Sequence, residues 1–528
     1  MPYATSEEPL YINIPPFTVM DFSGGLNTRA SHLLLGRSTR YALRRNQLVR
    51  LKNMDMLSSG YLETRWGFTA LNSSAVAPPA GDTQIRSIFE LRQKDGDKYV
   101  LINAGNTIYV WNTGTAVFDS VGTYLTNNER FHWTQFTDLA IGLSESNIPL
   151  KYNGATLATL GGTPPDGITA AGGSAICAYR NRVFIGRQLT LYYCANGAPE
   201  DWSTANDAGQ LPIPALQSTK VTALIPFYTR LLILCDNEVF ELTGSGPSDF
   251  AITGISYVYG NEAEEGVSLA GNNAYWISTK GVHRLSVTDS NANLGYLEEL
   301  DASSLILPTW TALNKSNLVN RVAIDVKKKN QIIILCSDSA TNNTMALVAD
   351  YYHVDELGRP AWTTYSNFSF ASAAEIISIN STREVFFGGY DGKVYRYHDT
   401  LTDDGTTIPI EWEYVNDLDL LAWSKTWRHL VLYAKIASGA TLTMTAGYDF
   451  GLQNVNSSVT LSSTSGHTLG VDWLLGTDPL GYESFITQRI PIVGSGRVGS
   501  FRFAGSPSNR VTIGGMIFYA GKRRIIFQ

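Results

Sequence analysis

Residue types that perform chemistry are present in this chain, but their spacing does not assemble the familiar constellations. Carboxylates cluster at Glu262, Glu264 and Glu265, at Glu298 and Glu299, and at Asp403 and Asp404. A glycoside hydrolase needs two carboxyl groups facing each other across a sugar, about 5 to 9.5 Å apart. Neighbours on a strand point to opposite faces, so adjacency alone does not supply that geometry, and these clusters read as surface loops. The histidines are scattered, with no HExxH and no pair at helical ligand spacing, so a zinc site has no support. Cys177, Cys194, Cys235 and Cys336 form no CxxC pair and read as buried thiols. GSGRVG, from Gly494 to Gly499, matches the letters of a dinucleotide-binding loop. That loop must open a helix whose N-terminus faces the pyrophosphate, whereas SFRFAG follows here with strand alternation. A glycine-rich hairpin loop is the expectation. Neither a GxSxG elbow nor a GxxxxGK[ST] phosphate loop occurs, and TDDGTT (Thr402 to Thr407) fails the spacing of sialidase-type hairpins. The expectation is a protein without catalytic residues, cofactor or metal.

The elements around these residues repeat. An alternating strand, a short polar stretch, a strongly apolar strand, a turn and a further alternating strand recur along the middle of the chain. Clear copies are RLLILCDNEVFELTG (Arg230 to Gly244), NAYWISTKGVHRLSV (Asn273 to Val287) and REVFFGGYDGKVYRYH (Arg383 to His398). Equivalent positions Val100, Ala140, Val183, Leu232, Tyr275, Ile333 and Val385 recur at the spacing of four-stranded propeller blades. Asp391-Gly392, Asp236-Asn237 and Lys280-Gly281 are expected to supply positive φ for tight hairpins. About seven blades are expected, and a closed ring leaves few strand edges exposed. Cys235 and Cys336 hold the same place in blades two apart, too distant for a disulfide. Free thiols suit assembly in a reducing cytoplasm.

On either side of the repeat the pattern changes. From about Asp403, segments such as IPIEWEYV, HLVLYAKI and RVTIGGMIFYA alternate at the strand period, as in a β-sandwich. The first part of the chain holds its most basic stretch, with Arg37, Arg40, Arg44 and Arg45, and a short helix is expected after Ser38. The fold expected is all-β: an N-terminal arm with a short helix over 1–82, a β-propeller over 83–402, and a C-terminal β-sandwich-like domain over 403–528 packed with the N-terminal segment. The basic arm and the tail cations Lys522, Arg523 and Arg524 are candidate docking residues for acidic partners.

Composition bounds the function classes. The 528 residues carry 40 Lys and Arg against 47 Asp and Glu, a net charge of −7, and only 16% are charged. With 44% hydrophobic residues, a disordered chain or a charged coiled coil is excluded. The acidic balance argues against a protein whose task is to clamp nucleic-acid phosphates. No stretch reaches the ~18 apolar residues of a membrane span. MPYATSEEPLY lacks the basic and apolar regions of a secretory signal, so none is expected.

Three N-terminal motifs carry a resemblance. FSGGLN (Phe22 to Asn27), LKNMD (Leu51 to Asp55) and GYLETRWG (Gly60 to Gly67) are similar to the F-x-G-G-L-N, L-x-N-x-D and G-x-L-x-x-R-x-G pattern of the tail nozzle, or tail tubular (hub), proteins of short-tailed bacteriophages. The order of propeller and sandwich is similar as well. The resemblance implies a virion structural protein, assembled in the host cytoplasm, that forms a ring, commonly of six copies. That ring would sit below the portal and adaptor, bear fibres or spikes, and surround the channel through which DNA is ejected without specific binding. An acidic conduit wall fits this, because neutralised phosphates tighten binding and would hinder sliding. The competing expectation is a propeller that binds or cleaves host-surface polysaccharide, and a third is a cellular scaffold propeller.

Overall fold

The computed structural model describes residues 12–29, 43–123, 129–161, 172–287, 297–377, 379, 381–418, 423–436, 440–449, 453–461 and 485–522. Seven four-stranded antiparallel meanders follow one another: 85–123, 132–159, 175–212, 221–256, 267–301, 322–366, and 370–398 completed by Gly67–Ala70. Their first strands pack side by side around one axis, and the seventh returns to the first. The fold is a seven-bladed β-propeller. The second strands explain the apolar runs of the repeat. Arg230–Cys235, Gln331–Cys336 and Glu384–Gly389 are buried along nearly their whole length, because neighbouring blades cover both faces. Separate apolar clusters fill the gaps between blades; one joins Phe184 and Leu191 of the third to Leu231, Ile233 and Phe240 of the fourth.

The ring closes with a strand from outside the 83–402 boundary. Gly67–Ala70 pairs antiparallel with Val394–His398, placing Phe68 opposite Tyr397. Blade seven therefore contains both ends of the propeller sequence, and opening the ring would require breaking a sheet. Two further expectations are corrected. The Asp236-Asn237 turn forms without positive φ; the Glu238 carboxylate accepts the backbone N–H groups of Leu216, Gln217 and Ser218 beside it. Within Gly494 to Gly499 only Arg497 and Val498 turn the chain, and the flanking strands do not pair as a hairpin: Ile486–Gly496 joins one sandwich sheet and Gly499–Gly505 the other. A Cβ at Gly494 would collide with the Tyr448 ring, which is why that crossing needs glycine.

The C-terminal unit is two packed sheets threaded by the N-terminal segment. One is Ile486–Gly496, Lys425–Ile436, Val511–Lys522, Leu62–Thr64 and Met54–Met56, with Ile12–Asn13 and Phe17–Val19 also on Val511–Lys522. The other continues directly from blade six. Its outermost strand, Pro360–Ser366, pairs with Arg50–Lys52, and the sheet runs on through Ile410–Asn416, Gly499–Gly505, Ala440–Tyr448 and Gln453–Leu461. Aromatic rings fill the layer between them: Trp412 stacks on Phe503 at 4.7 Å, and Phe501 lies 4.9 Å from Phe518.

The N-terminal motifs build the junction between the two units. Phe22, Leu51 and Leu62 are buried in the apolar cluster shared by the sandwich and blades five and six. Gly25 adopts φ +58 against the backbone of Trp362, leaving no room for a side chain. Asn53, at φ +55, donates to Ser366 Oγ at 2.7 Å and accepts from the Arg65 Nε–H at 2.9 Å. Asp55 accepts from Lys329, Gln331 and Tyr365, all of blade six. Arg65 is fully buried and forks onto Asp403 at 2.8 and 2.5 Å, with its guanidinium 4.7 Å from the Phe368 ring centre. Asp403, expected on a surface loop, is thus a buried partner in the link between propeller and sandwich. Burial raises its carboxyl above the ordinary value even against Arg65. Gly67 abuts the Thr402 carbonyl, so a Cβ there would displace backbone.

Candidate functional site

At the end of the propeller axis where the first strands begin lies a cavity of about 260 Å³. Arg86, His132, Ile176, Ala223, Glu264 and Glu265 are among its lining residues. His132 opens the first strand of blade two, and Glu264 and Glu265 immediately precede that of blade five. Three positions apart in a ring of seven, these blades stand nearly opposite, so contact between them crosses the axis. The His132 Nδ1 lies 3.0 Å from Glu265 Oε1, and its Nε2 lies 3.3 Å from Glu264 Oε2. Lys220, just before blade four, donates to Glu264 Oε1 at 2.9 Å and to Glu145 of blade two at 2.6 Å. Arg130 donates to the Ala371 carbonyl of blade seven at 2.8 Å.

Both carboxylates are acceptors, so both imidazole nitrogens donate and His132 is an imidazolium. Burial disfavours that charge, yet the hydrogen bonds and charges of Glu264 and Glu265 outweigh it and raise His132 to about 9. Burial likewise disfavours the Glu264 carboxylate, but His132 and Lys220 hold it down at about 2. Glu265 is lowered for the same reason, with Arg130 contributing. A retaining or inverting glycosidase needs one carboxyl kept protonated near neutrality. Here both acids are held ionised against His132 and, for Glu264, Lys220 as well, and the arrangement braces opposite blades. Asp325 is pushed the other way, to about 6, by burial, but it lies enclosed with its Oδ1 accepting from the Tyr351 hydroxyl.

This cluster corrects the reading of Glu264 and Glu265 as ordinary surface-loop residues. A signal was present in the sequence: both acids stand just before the first strand of a repeat, and His132 starts another. Those repeat positions face the axis in any closed propeller. The side chains of Glu298 and Glu299 lie outside the described residues.

Of the docking residues named from sequence, Arg44, Arg45 and Lys522 lie among the described residues. Arg44 is exposed, its Nη2 3.8 Å from the Glu356 carboxylate. The Arg45 guanidinium lies 5.2 Å from the Phe17 ring centre, and Phe17 pairs with Phe518 on Val511–Lys522. Lys522 ends that same strand, its Nζ 3.5 Å from the Trp423 ring centre. Arg45, through Phe17, and Lys522 thus meet the same strand from opposite ends of the sequence. Arg37, Arg40, Arg523, Arg524 and the expected helix after Ser38 lie outside the described residues. All four cysteines are buried and unpaired; burial pushes the Cys235 and Cys336 thiols up to about 12, leaving them inert as nucleophiles. Among the described residues no group of His, Cys, Asp and Glu is arranged to hold a metal ion, and no helix is long and apolar enough to cross a membrane.

No protein-family model and no curated protein matches the chain. Solved structures match at low identity. A chain of the crystal structure of the mitotic checkpoint complex is 12% identical, covering 63% of this chain and 96% of that one, with a TM-score of 0.42. YCF48 from Cyanidioschyzon merolae is 12% identical over 63% of this chain and 98% of its own, with a TM-score of 0.40. YCF48 bound to D1 peptide is 14% identical over 64% and 99%, with a TM-score of 0.38.

Proposed function

We propose that this chain is a non-enzymatic structural subunit of a bacteriophage tail, a nozzle or hub ring extending the DNA-ejection channel below the portal and adaptor. The observation that carries the reading is the role of the motif residues. Gly25, Asn53, Asp55, Arg65 and Gly67, from the three motifs that resemble those of the nozzle proteins, join the propeller to the sandwich. The motifs therefore encode this junction, and a resemblance in them is a resemblance in architecture. The braced axis also supports it. Ion pairs cross the propeller bore, so DNA would pass beside the propellers of several copies set in a ring. A net charge of −7 on each copy suits a wall that must let a polyanion slide. Ring formation through repeated head-to-tail contacts fits the cyclic symmetry of such assemblies.

Negative-stain imaging and native mass spectrometry of the purified protein, with antibody labelling of phage particles, test the proposal. A closed ring, alone or on the tail axis of particles, is the expected result. A monomer absent from virions would overturn it. Reversing the exposed Arg44 and Arg45 to Glu should block attachment to heads while the far-ultraviolet circular dichroism stays unchanged. Release of reducing ends from host glycan would instead favour the polysaccharide-cleaving reading.

A further inference from the structure

Four buried arginines are described, and three of them face a carboxylate: Arg65 with Asp403, Arg182 with Asp207 and Arg359 with Asp355. The fourth, Arg321, is 3% exposed and has no carboxylate partner among the described residues. Its Nε reaches Asn317 Oδ1 at 3.4 Å, its Nη2 donates to the Asn314 carbonyl at 3.2 Å, and its guanidinium lies 4.8 Å from the Trp310 ring centre. Nη1 has no acceptor among the described residues. Removing a charge from water without a counter-charge is costly, so such a position is unusual.

Arg321 lines a cavity of about 300 Å³ between the Thr279–Lys280 turn of blade five and the helical insertion over 304–320 that leads into blade six. Lys280 and Lys315 line it too, both exposed and neither in an ion pair. Trp310, Leu313 and Leu318 supply an apolar wall. No acid lines the cavity. The acid whose charge reaches Arg321 is Glu262, whose Oε1 already accepts the Thr279 N–H at 2.9 Å. Burial lowers the Arg321 pKa below its ordinary value, the mark of a guanidinium short of anionic company.

We propose that this cavity is a binding site for a carboxylate on a short apolar stem, as presented by an acidic side chain of a protein partner. The guanidinium supplies a planar fork for the carboxylate, the two lysines neutralise it from the rim, and Leu313, Leu318 and Trp310 take the methylene stem. Apolar walls and a single fork suit a carboxylate better than a phosphate, which favours a nest of backbone N–H donors. The inference is independent of the tail reading.

Isothermal titration of the full chain with N-acetylglutamate amide, its glutamine counterpart and inorganic phosphate tests it. Saturable binding of the glutamate probe is expected, with none of the glutamine probe. Affinity should fall at least roughly tenfold in Lys315→Glu and in Arg321→Lys. Lys315 is exposed, so its variant keeps the test sound if Arg321→Lys perturbs folding. Absence of saturable binding, equal binding of the glutamine probe, or indifference to Lys315→Glu would overturn the site. Tighter binding of phosphate than of the glutamate probe would overturn the carboxylate assignment.

Discussion

The propeller axis and the propeller–sandwich junction both bury charge, and they do so under opposite conditions. At the axis, His132, Glu264 and Glu265 face a cavity, Lys220 and Glu145 extend the ion-pair chain beside it, and several of these groups remain partly exposed. At the junction, Arg65 and Asp403 are 0% and 4% exposed and lie among Tyr365, Phe368 and Trp66. A dry pair of this kind gains little net energy from forming, because desolvation offsets attraction; the raised Asp403 carboxyl reflects that. Breaking it is another matter, since the survivor is left charged without water. The wet cluster is more forgiving, but His132 and Glu264 are held far from their ordinary values, at about 9 and about 2. The dry pair fixes geometry, and the wet cluster sets pH dependence.

Breaking the dry pair should have the largest effect. Arg65→Met is expected to destabilise the protein by about 3–5 kcal/mol in denaturant unfolding, with the double variant Arg65→Met, Asp403→Leu regaining a large share. A loss below about 1 kcal/mol would show that the junction does not depend on this pair. Next comes the axis. His132 at about 9 lies above its ordinary 6.5, so its contribution is whole below 6.5 and lost as pH rises through 9. Glu264 at about 2 lies below its ordinary 4.5, so its contribution is whole above 4.5 and lost as pH falls toward 2. Stability should peak between these limits and decline by up to about 3 kcal/mol on the alkaline side. His132→Gln should flatten that alkaline limb, while Arg65→Met should leave its shape alone. Gly67→Ala, forced against the Thr402 carbonyl, should cost about 1–3 kcal/mol and loosen the blade-seven closure in hydrogen exchange. Lys220→Met should cost least, about 0.2–1 kcal/mol, because its partner Glu145 is half exposed.

Much of the fold was legible because its signals are local. The apolar second strands of the blades had to be buried on both faces, and their recurrence announced a ring. The Gly25 and Gly67 positions were legible as motif letters, though not as the contacts with Trp362 and Thr402 that require them. The closing strand Gly67–Ala70 was assigned to the arm, since its partner Val394–His398 lies more than 300 residues away and nothing in either segment names the other. The crossing at Gly494 to Gly499 looked like a hairpin because a turn carries no record of which sheets receive its strands.

The candidate sites were less legible for the same reason. His132 and Glu264 are 132 residues apart and become partners only because blades two and five stand opposite. Arg321 is an unremarkable cation until its surroundings show that no acid faces it. Composition and periodicity by themselves determined an acidic, all-β chain of repeated four-stranded units followed by a second β-rich region, since burial of alternating and continuous apolar strands dictates that much. Which strand closes the ring, which charges meet across the bore, and which arginine lacks a counterion were decided by tertiary structure, because pairing between distant segments depends on how the ring brings them together.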